Sequence, residues 1–287
     1  MSGGASAVIG SSTRLICLLG NPVGHSRSPI IHNSAFAEQG LDFAYLAFDV
    51  LPDDLPAAVA GLKALGVVGA NVTIPHKERV LPLLDDIDHV ARRAGAVNTI
   101  LNRGGRLIGY NTDIHGFLAS LEINWGRGPK GARCLVVGAG GAARAVVAAL
   151  CSEGASEIWI YNRTASRARE LSAEAAQWSD VAVRALGESD LLCFAPQADL
   201  IVNATPVGLD SEVKTSPIPV DTLRGTQVVM DIGCFREPTP LLAAAAAGGA
   251  LTIDGCEMLA QQAARSYEIW TDRAAPVQVM RTKARMT

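Results

Sequence analysis

The segment "GANVTIPHKERV" (69–80) reads as an apolar strand that stops at Pro75 and passes into a helix, with Lys77 in the first turn. Exposed N–H groups already present partial positive charge there, so an ammonium is mildly disfavoured at that place. Either the side chain is a solvated member of an "HKER" face, or the fold needs a cation at that point. Other residues raise the same question. "GNPVGHSRSPIIHN" (20–33) sets Ser26 and Ser28 beside Pro29 at a helix start. Ser28 fits an N-cap before a proline in the first helical position, and the two hydroxyls together suit a carboxylate. "GAVNTI" carries Asn98, and "GYNTDIHGF" carries Asn111 and Asp113 just before another helix. In isolation these are caps and turn formers.

A different chemistry is written in "VVGAGGAARAVVAAL", a buried strand, a glycine turn and an alanine-rich helix. Gly138, Gly140 and Ala143 take the three special places of a dinucleotide fingerprint, with Gly141 and Ala142 completing the turn. The turn needs glycine, a pyrophosphate needs close backbone approach, and the helix must pack tightly on its strand. The next strand ends in "YNRTASRA", where an NAD site would place an acid for the ribose 2′-hydroxyl. This chain offers Asn162, Arg163, Thr164 and Arg167 instead. Guanidiniums and a hydroxyl suit a 2′-phosphate that an acid would repel, so the expected cofactor is NADP.

The elements that must position these groups alternate between apolar runs and helical patterns, which implies a mostly parallel α/β arrangement. Strands are expected at 14–20, 43–50, 69–74 and 96–102, and then at 134–140, 157–162, 200–205 and 227–233. The last thirty residues read as helix. A glycine-rich, basic stretch at 124–133 is a linker candidate.

The chain has 287 residues, enough for two domains, with 49% apolar and 18% charged residues. A net charge of −3 without a basic run argues against nucleic acid. The longest apolar tract, 241–251, is too short to span a bilayer. Residues 1–12 resemble a floppy leader, not a signal peptide. The six cysteines form no CxxC pair, which suggests reduced thiols in a cytoplasmic protein and no metal site.

"GNPVGHSRSP", "NVTIPHKE", "GAVNT", "NTD", "GAGGAAR", "NRT", "NATPVG" and "DG…ML…QQA" follow the order and spacing of the shikimate dehydrogenase family. The resemblance covers about residues 14–275. It implies an N-terminal α/β substrate domain (1–115) completed by C-terminal helices (255–287), with a Rossmann-type NADP domain (116–254) inserted. It implies reversible hydride transfer between NADP(H) and C3 of shikimate or 3-dehydroshikimate, in aromatic amino acid biosynthesis. Lys77 then matches the catalytic lysine and Asp113 its partner carboxylate. A helix start disfavours the ammonium and a carboxylate favours it, while the nascent alkoxide needs a proton. Ser26 and Ser28 match the carboxylate site, Thr73, Asn98 and Gln262 the ring-hydroxyl site, and Met258 a cofactor contact. A small hydroxy acid is the expected partner, in a monomer or homodimer.

Three positions depart from the family pattern: Cys234 replaces a substrate-facing tyrosine, Glu257 a glycine near the nicotinamide end, and Ile114 the glycine of "NTDG". They keep a quinate/shikimate or aminoshikimate dehydrogenase open as alternatives. Ser28 stands where quinate-using relatives often carry threonine. Cys234 reads as a small apolar filler or a reactive thiol. A cofactor-binding sensor of shikimate is the reading from another class, opposed by the retention of both Lys77 and Asp113.

Overall fold

The computed structural model describes residues 9–208, 215–235 and 237–286. Most of the expected leader, residues 1–8, lies outside them. The chain divides into two compact units, Met1–Thr112 with Leu259–Thr287, and Asp113–Met258.

In chain order the first unit holds β1 (Arg14–Gly20), α1 (Ser28–Glu38), β2 (Phe43–Asp49), α2 (Leu55–Ala64), β3 (Gly69–Val72), β4 (Asp86–Ile87), α3 (His89–Ala94), β5 (Thr99–Arg103) and β6 (Arg106–Tyr110). The strand order is β2-β1-β3-β5-β6-β4. β1 pairs in parallel with β2 and β3, and β4 with β6, while β3–β5 and β5–β6 are antiparallel, so this sheet is mostly parallel with an antiparallel hairpin set into it. The hairpin turns at Gly104 and Gly105, both at positive φ, which two-residue hairpin loops demand. Alternation along β1 feeds two cores. Ile16 and Leu18 join Phe36, Tyr45, Tyr267 and Trp270 on one face, and Cys17 and Leu19 join Leu55, Val59 and Leu62 on the other.

The second unit begins with α4 (Asp113–Trp125) and continues through β7 (Arg133–Val137), α5 (Gly141–Ser152), β8 (Glu157–Tyr161), α6 (Ala165–Ala175), β9 (Ala182–Leu186), α7 (Leu191–Phe194), β10 (Leu200–Asn203), β11 (Val228–Asp231), α8 (Pro240–Ala247) and β12 (Leu251–Ile253). All its strands pair in parallel, in the order β12-β11-β10-β7-β8-β9. Numbered from β7 as the first, that is the doubly wound order of a dinucleotide-binding fold, and the order reverses at β7. The chain returns through α9 (Cys256–Thr271) and ends with α10 (Val277–Arg285). The expected C-terminal helix is therefore two helices.

Two local expectations fail. No helix opens after Pro75: residues 77–80 form turns, followed by a short 3-10 segment at Leu81–Leu83. Pro82 has no N–H to donate and its ring would crowd the carbonyl of Glu78, so a helix begun near His76 cannot propagate. The helix-dipole argument for Lys77 lapses with it. Nor is every cysteine a thiol. Cys234 and Cys256 form a disulfide with their Cα atoms 4.5 Å apart. They follow β11 and β12, which are neighbours in the sheet, and the Gly255 amide donates to the Gly233 carbonyl at 2.9 Å. A Cβ at Gly255 would collide with the Ile232 carbonyl, so glycine permits this approach.

Candidate functional site

The parallel neighbours β1 and β3 end side by side, and the segments that leave them carry Ser26, Ser28, Thr73 and Lys77. Gly20 permits this, because a Cβ there would strike the Thr73 side chain. Further ties hold the segments together: the Asn21 amide donates to Ile74 and the Thr73 amide to Leu19, at 3.0 and 2.9 Å. The N-cap of α1 is Arg27, not Ser28, and Ser28 is the first helical residue. Its backbone N–H donates to Ser26 Oγ at 3.3 Å, so the two serines are linked and both are half-buried.

Lys77 is half-buried and is held by its neighbours. Its carbonyl accepts the Val97 amide at 2.8 Å. The preceding His76 is fully buried, and its Nε2 meets the Val50 carbonyl at 2.7 Å. That contact requires Nε2 to carry the proton. Asn98, next to Val97, is buried; its Oδ1 accepts the Thr112 backbone N–H at 2.8 Å, while its Nδ2 donates to Thr112 Oγ1 and to Gln262 Oε1 at 2.9 and 3.4 Å. Gln262 Nε2 in turn donates to the Leu259 carbonyl at 3.0 Å. A backbone N–H only donates and a carbonyl only accepts, so both amides have a determined orientation. Asn111 is fixed by its donation to Ala96.

Behind this pair lies a polar cluster that the sequence did not single out. Tyr45 Oη donates to Asn71 Oδ1 at 2.7 Å, and Asn71 Nδ2 donates to the Asn98 carbonyl at 3.0 Å. Burial pushes the Tyr45 phenol well above its ordinary range, so the hydroxyl stays protonated as the donor. Thr99, Thr112 and Ser266 complete the cluster, and all are buried. The sequence signal was there: a lone asparagine inside the apolar strand β3, and a serine four residues after Gln262 on one helical face.

Asp113 opens α4 in the second unit and is buried; a carboxylate at a helix N-terminus suits the helix dipole. Asp231, at the end of β11, accepts from Asn203 Nδ2, the Gly233 amide and Thr239 Oγ1. Burial nevertheless raises its carboxyl above the usual range. These bonds tie the "NATPVG" turn to the segment that reaches Cys234.

The glycine turn fits a dinucleotide. Gly138 sits at φ 119°, its amide donates to the Tyr161 carbonyl, and a Cβ would crowd the Ala204 carbonyl at 2.9 Å. Gly140 precedes α5 with extended backbone, and a Cβ there would meet open space. Gly141 and Ala142 begin the helix half-exposed, and Ala143 is buried against the sheet. The twelve-residue α5 thus starts at a position with no neighbour among the described residues where a side chain on Gly140 would begin. Thr164 is the N-cap of α6, Asn162 Nδ2 donates to the Thr164 carbonyl at 2.9 Å, and the Arg163 and Arg167 side chains are exposed. Met258 is buried in the first turn of α9 and follows the buried Glu257.

Comparison with known proteins settles the kinship. Residues 18–100 match the model of the shikimate dehydrogenase substrate binding domain, 123–257 that of shikimate / quinate 5-dehydrogenase, and 255–285 that of the shikimate 5'-dehydrogenase C-terminal domain. The chain belongs to the shikimate/quinate dehydrogenase family. Within that family it is similar to the shikimate dehydrogenase (NADP(+)) of Moorella thermoacetica, 49% identical over 94% of this chain and 92% of that protein. It also resembles the crystal structure of a shikimate dehydrogenase in complex with NADP+, at TM-score 0.89 and 40% identity over 98% of both chains. A quinate dehydrogenase from Corynebacterium glutamicum in complex with NAD matches at TM-score 0.88 and 31% identity, over 94% of this chain and 98% of that one. Among the described residues no helix is long and apolar enough to cross a membrane, and no cluster of His, Cys, Asp or Glu could hold a metal ion.

Proposed function

We propose that this protein is an NADP-dependent shikimate dehydrogenase of the cytoplasm, interconverting shikimate and 3-dehydroshikimate. One observation carries the reading: the chain is 49% identical, along nearly its whole length, to a shikimate dehydrogenase (NADP(+)).

Gly138, Gly140, Gly141 and Ala142 would hold the pyrophosphate at the start of α5, and Asn162, Arg163, Thr164 and Arg167 the 2′-phosphate, with Met258 near the nicotinamide. When bound, the cofactor supplies or accepts the hydride at C3. Ser26 and Ser28 bind the substrate carboxylate, and Thr73, Asn98 and Gln262 orient the ring hydroxyls. Lys77 and Asp113 serve the proton: in the reducing direction negative charge grows on the C3 oxygen, and the ammonium delivers a proton there. In the oxidising direction the same group takes the proton back from the hydroxyl.

Cys234 favours a test of the second reading, since it stands where the family pattern has a tyrosine that faces the substrate. A quinate/shikimate or aminoshikimate preference would be expressed at that position. Shikimate-dependent reduction of NADP, followed by the absorbance of the reduced nicotinamide, tests the proposal. A folded preparation that binds both ligands and turns over neither way would favour the sensor reading.

A further inference from the structure

Ser266 lies on α9, one helical turn beyond Gln262, and is fully buried. Its Oγ stands 2.7 Å from Thr99 Oγ1, 3.0 Å from Thr112 Oγ1, 3.0 Å from the Gln262 carbonyl and 3.3 Å from Asn71 Nδ2. A hydroxyl has one proton and two lone pairs, which fixes the traffic. The Gln262 carbonyl can only accept, so it takes the Ser266 proton. The lone pairs then face the threonine hydroxyls and, at longer range, the Asn71 amide.

Each of those partners leads to Asn98. Asn71 donates to the Asn98 carbonyl, Thr99 Oγ1 stands 3.1 Å from Asn98 Oδ1, and Thr112 Oγ1 accepts from Asn98 Nδ2. One oxygen on α9 therefore touches four groups: two meet the Asn98 side chain, one meets the Asn98 backbone carbonyl, and the fourth is the backbone of Gln262. Nothing in the packing of an apolar core requires this. An alanine would fill the same space on α9, as Ala260, Ala263 and Ala264 do on its other buried positions.

We propose that Ser266 is a positioning residue for the reaction: it holds Thr112 Oγ1, which meets both Asn98 Nδ2 and, at 3.5 Å, Gln262 Oε1, and so keeps the two amides as one pair that reads the hydroxyl pattern of the substrate ring. The proposal rests on the assignment of Asn98 and Gln262 to the substrate, and deepens it. Without Ser266 the two amides keep their backbone anchors at Thr112 and Leu259 but lose the common pivot. Asn71 and both threonines are then left to re-pair in the interior, where a buried polar group without its partner is costly and drives rearrangement.

The test is a kinetic cycle on the full-length enzyme. Ser266→Ala is expected to raise the shikimate KM about tenfold, a change equivalent to roughly 1.4 kcal/mol, with the NADP KM and kcat within about twofold. Ser266→Ala should change little further in an Asn98→Ala background, because the serine acts through the threonines that hold that side chain. Thermal melting of each variant reports stability separately, and a purely structural serine would lower the melting point without moving the shikimate KM. Four outcomes decide the matter. A selective, non-additive KM effect supports the proposal. An unchanged shikimate KM in Ser266→Ala, with Asn98→Ala and Gln262→Ala impaired, overturns the positioning role alone. Full additivity in the double variant overturns it too. Normal KM values in both Asn98→Ala and Gln262→Ala overturn the substrate assignment and this proposal with it.

Discussion

Asn98 Oδ1 accepts the backbone N–H of Thr112, the residue directly before Asp113, at 2.8 Å. On the other side of Asn98, the Val97 amide donates to the carbonyl of Lys77. One short stretch of chain thus anchors the backbone beside each residue assigned to proton transfer. Lys77→Ala is therefore expected to lower kcat far more than it raises the shikimate KM, by about 10²–10⁴-fold. Asp113→Asn should show a comparable defect, and the double variant should lose much less than the product of the two. Steady-state kinetics with circular dichroism as the folding control provide the measurement. Normal turnover by Lys77→Ala would return that lysine to the status of a solvated turn residue.

Cofactor choice is assigned to side chains that are exposed and hence removable without disturbing the core. A charge-assisted hydrogen bond to a phosphate contributes about 1.5–3 kcal/mol, so Arg163→Ala should raise the NADP KM roughly 10–100-fold. The NAD KM should barely change. Equal losses with both cofactors would point to damage in the glycine turn or the strand, not to a lost 2′-phosphate contact.

The second unit carries a covalent tie. Cys234 and Cys256 close a loop with a sequence separation of 22, and the chain-entropy model gives a stabilisation of about 3 kcal/mol for such a loop. Denatured protein should therefore show four titratable thiols without reductant, Cys17, Cys134, Cys151 and Cys193, and all six with it. Cys234→Ser/Cys256→Ser should lower the urea midpoint relative to the oxidised wild type. Six thiols in air-purified, unreduced protein would show that the bridge does not form.

His32 gives the first unit a defined acid sensitivity. Its ring stacks on Tyr45 at 4.6 Å between centroids, and burial pushes its pKa from 6.5 down to about 3, with the Asn71 side chain acting weakly the other way. The folded pKa is depressed, so below pH 6.5 the unfolded chain takes up a proton that the folded one refuses. Stability is lost as pH falls through the window from 6.5 to about 3. The loss from this residue reaches about 3 kcal/mol near pH 4. His32→Phe keeps an aromatic ring in the stack and should flatten that limb of the urea midpoint against pH. Parallel acid limbs in wild type and variant would assign the effect elsewhere.

Much of this was legible in the sequence where chemistry and backbone geometry agree. The glycine turn at 138–141 was readable because positive φ and close approach leave glycine little competition, and the parallel strands of the second unit were readable as apolar runs between helical patterns. The β5–β6 hairpin was passed over although its Gly104–Gly105 pair announced it. The helix expected after Pro75 failed because Pro82 was not weighed against it. The Cys234–Cys256 bridge was invisible, since its partners meet only through the pairing of β11 with β12, a tertiary fact that no cysteine spacing encodes. Ser266 was missed for the same reason: its importance lies in three contacts from three other segments.

The central claim, an NADP-dependent shikimate dehydrogenase, is tested most directly by initial rates with shikimate and with quinate, each with NADP and with NAD. The account predicts the highest kcat/KM for shikimate with NADP, a clear drop with NAD, and weak use of quinate. A kcat/KM that is highest for quinate with NAD would contradict it.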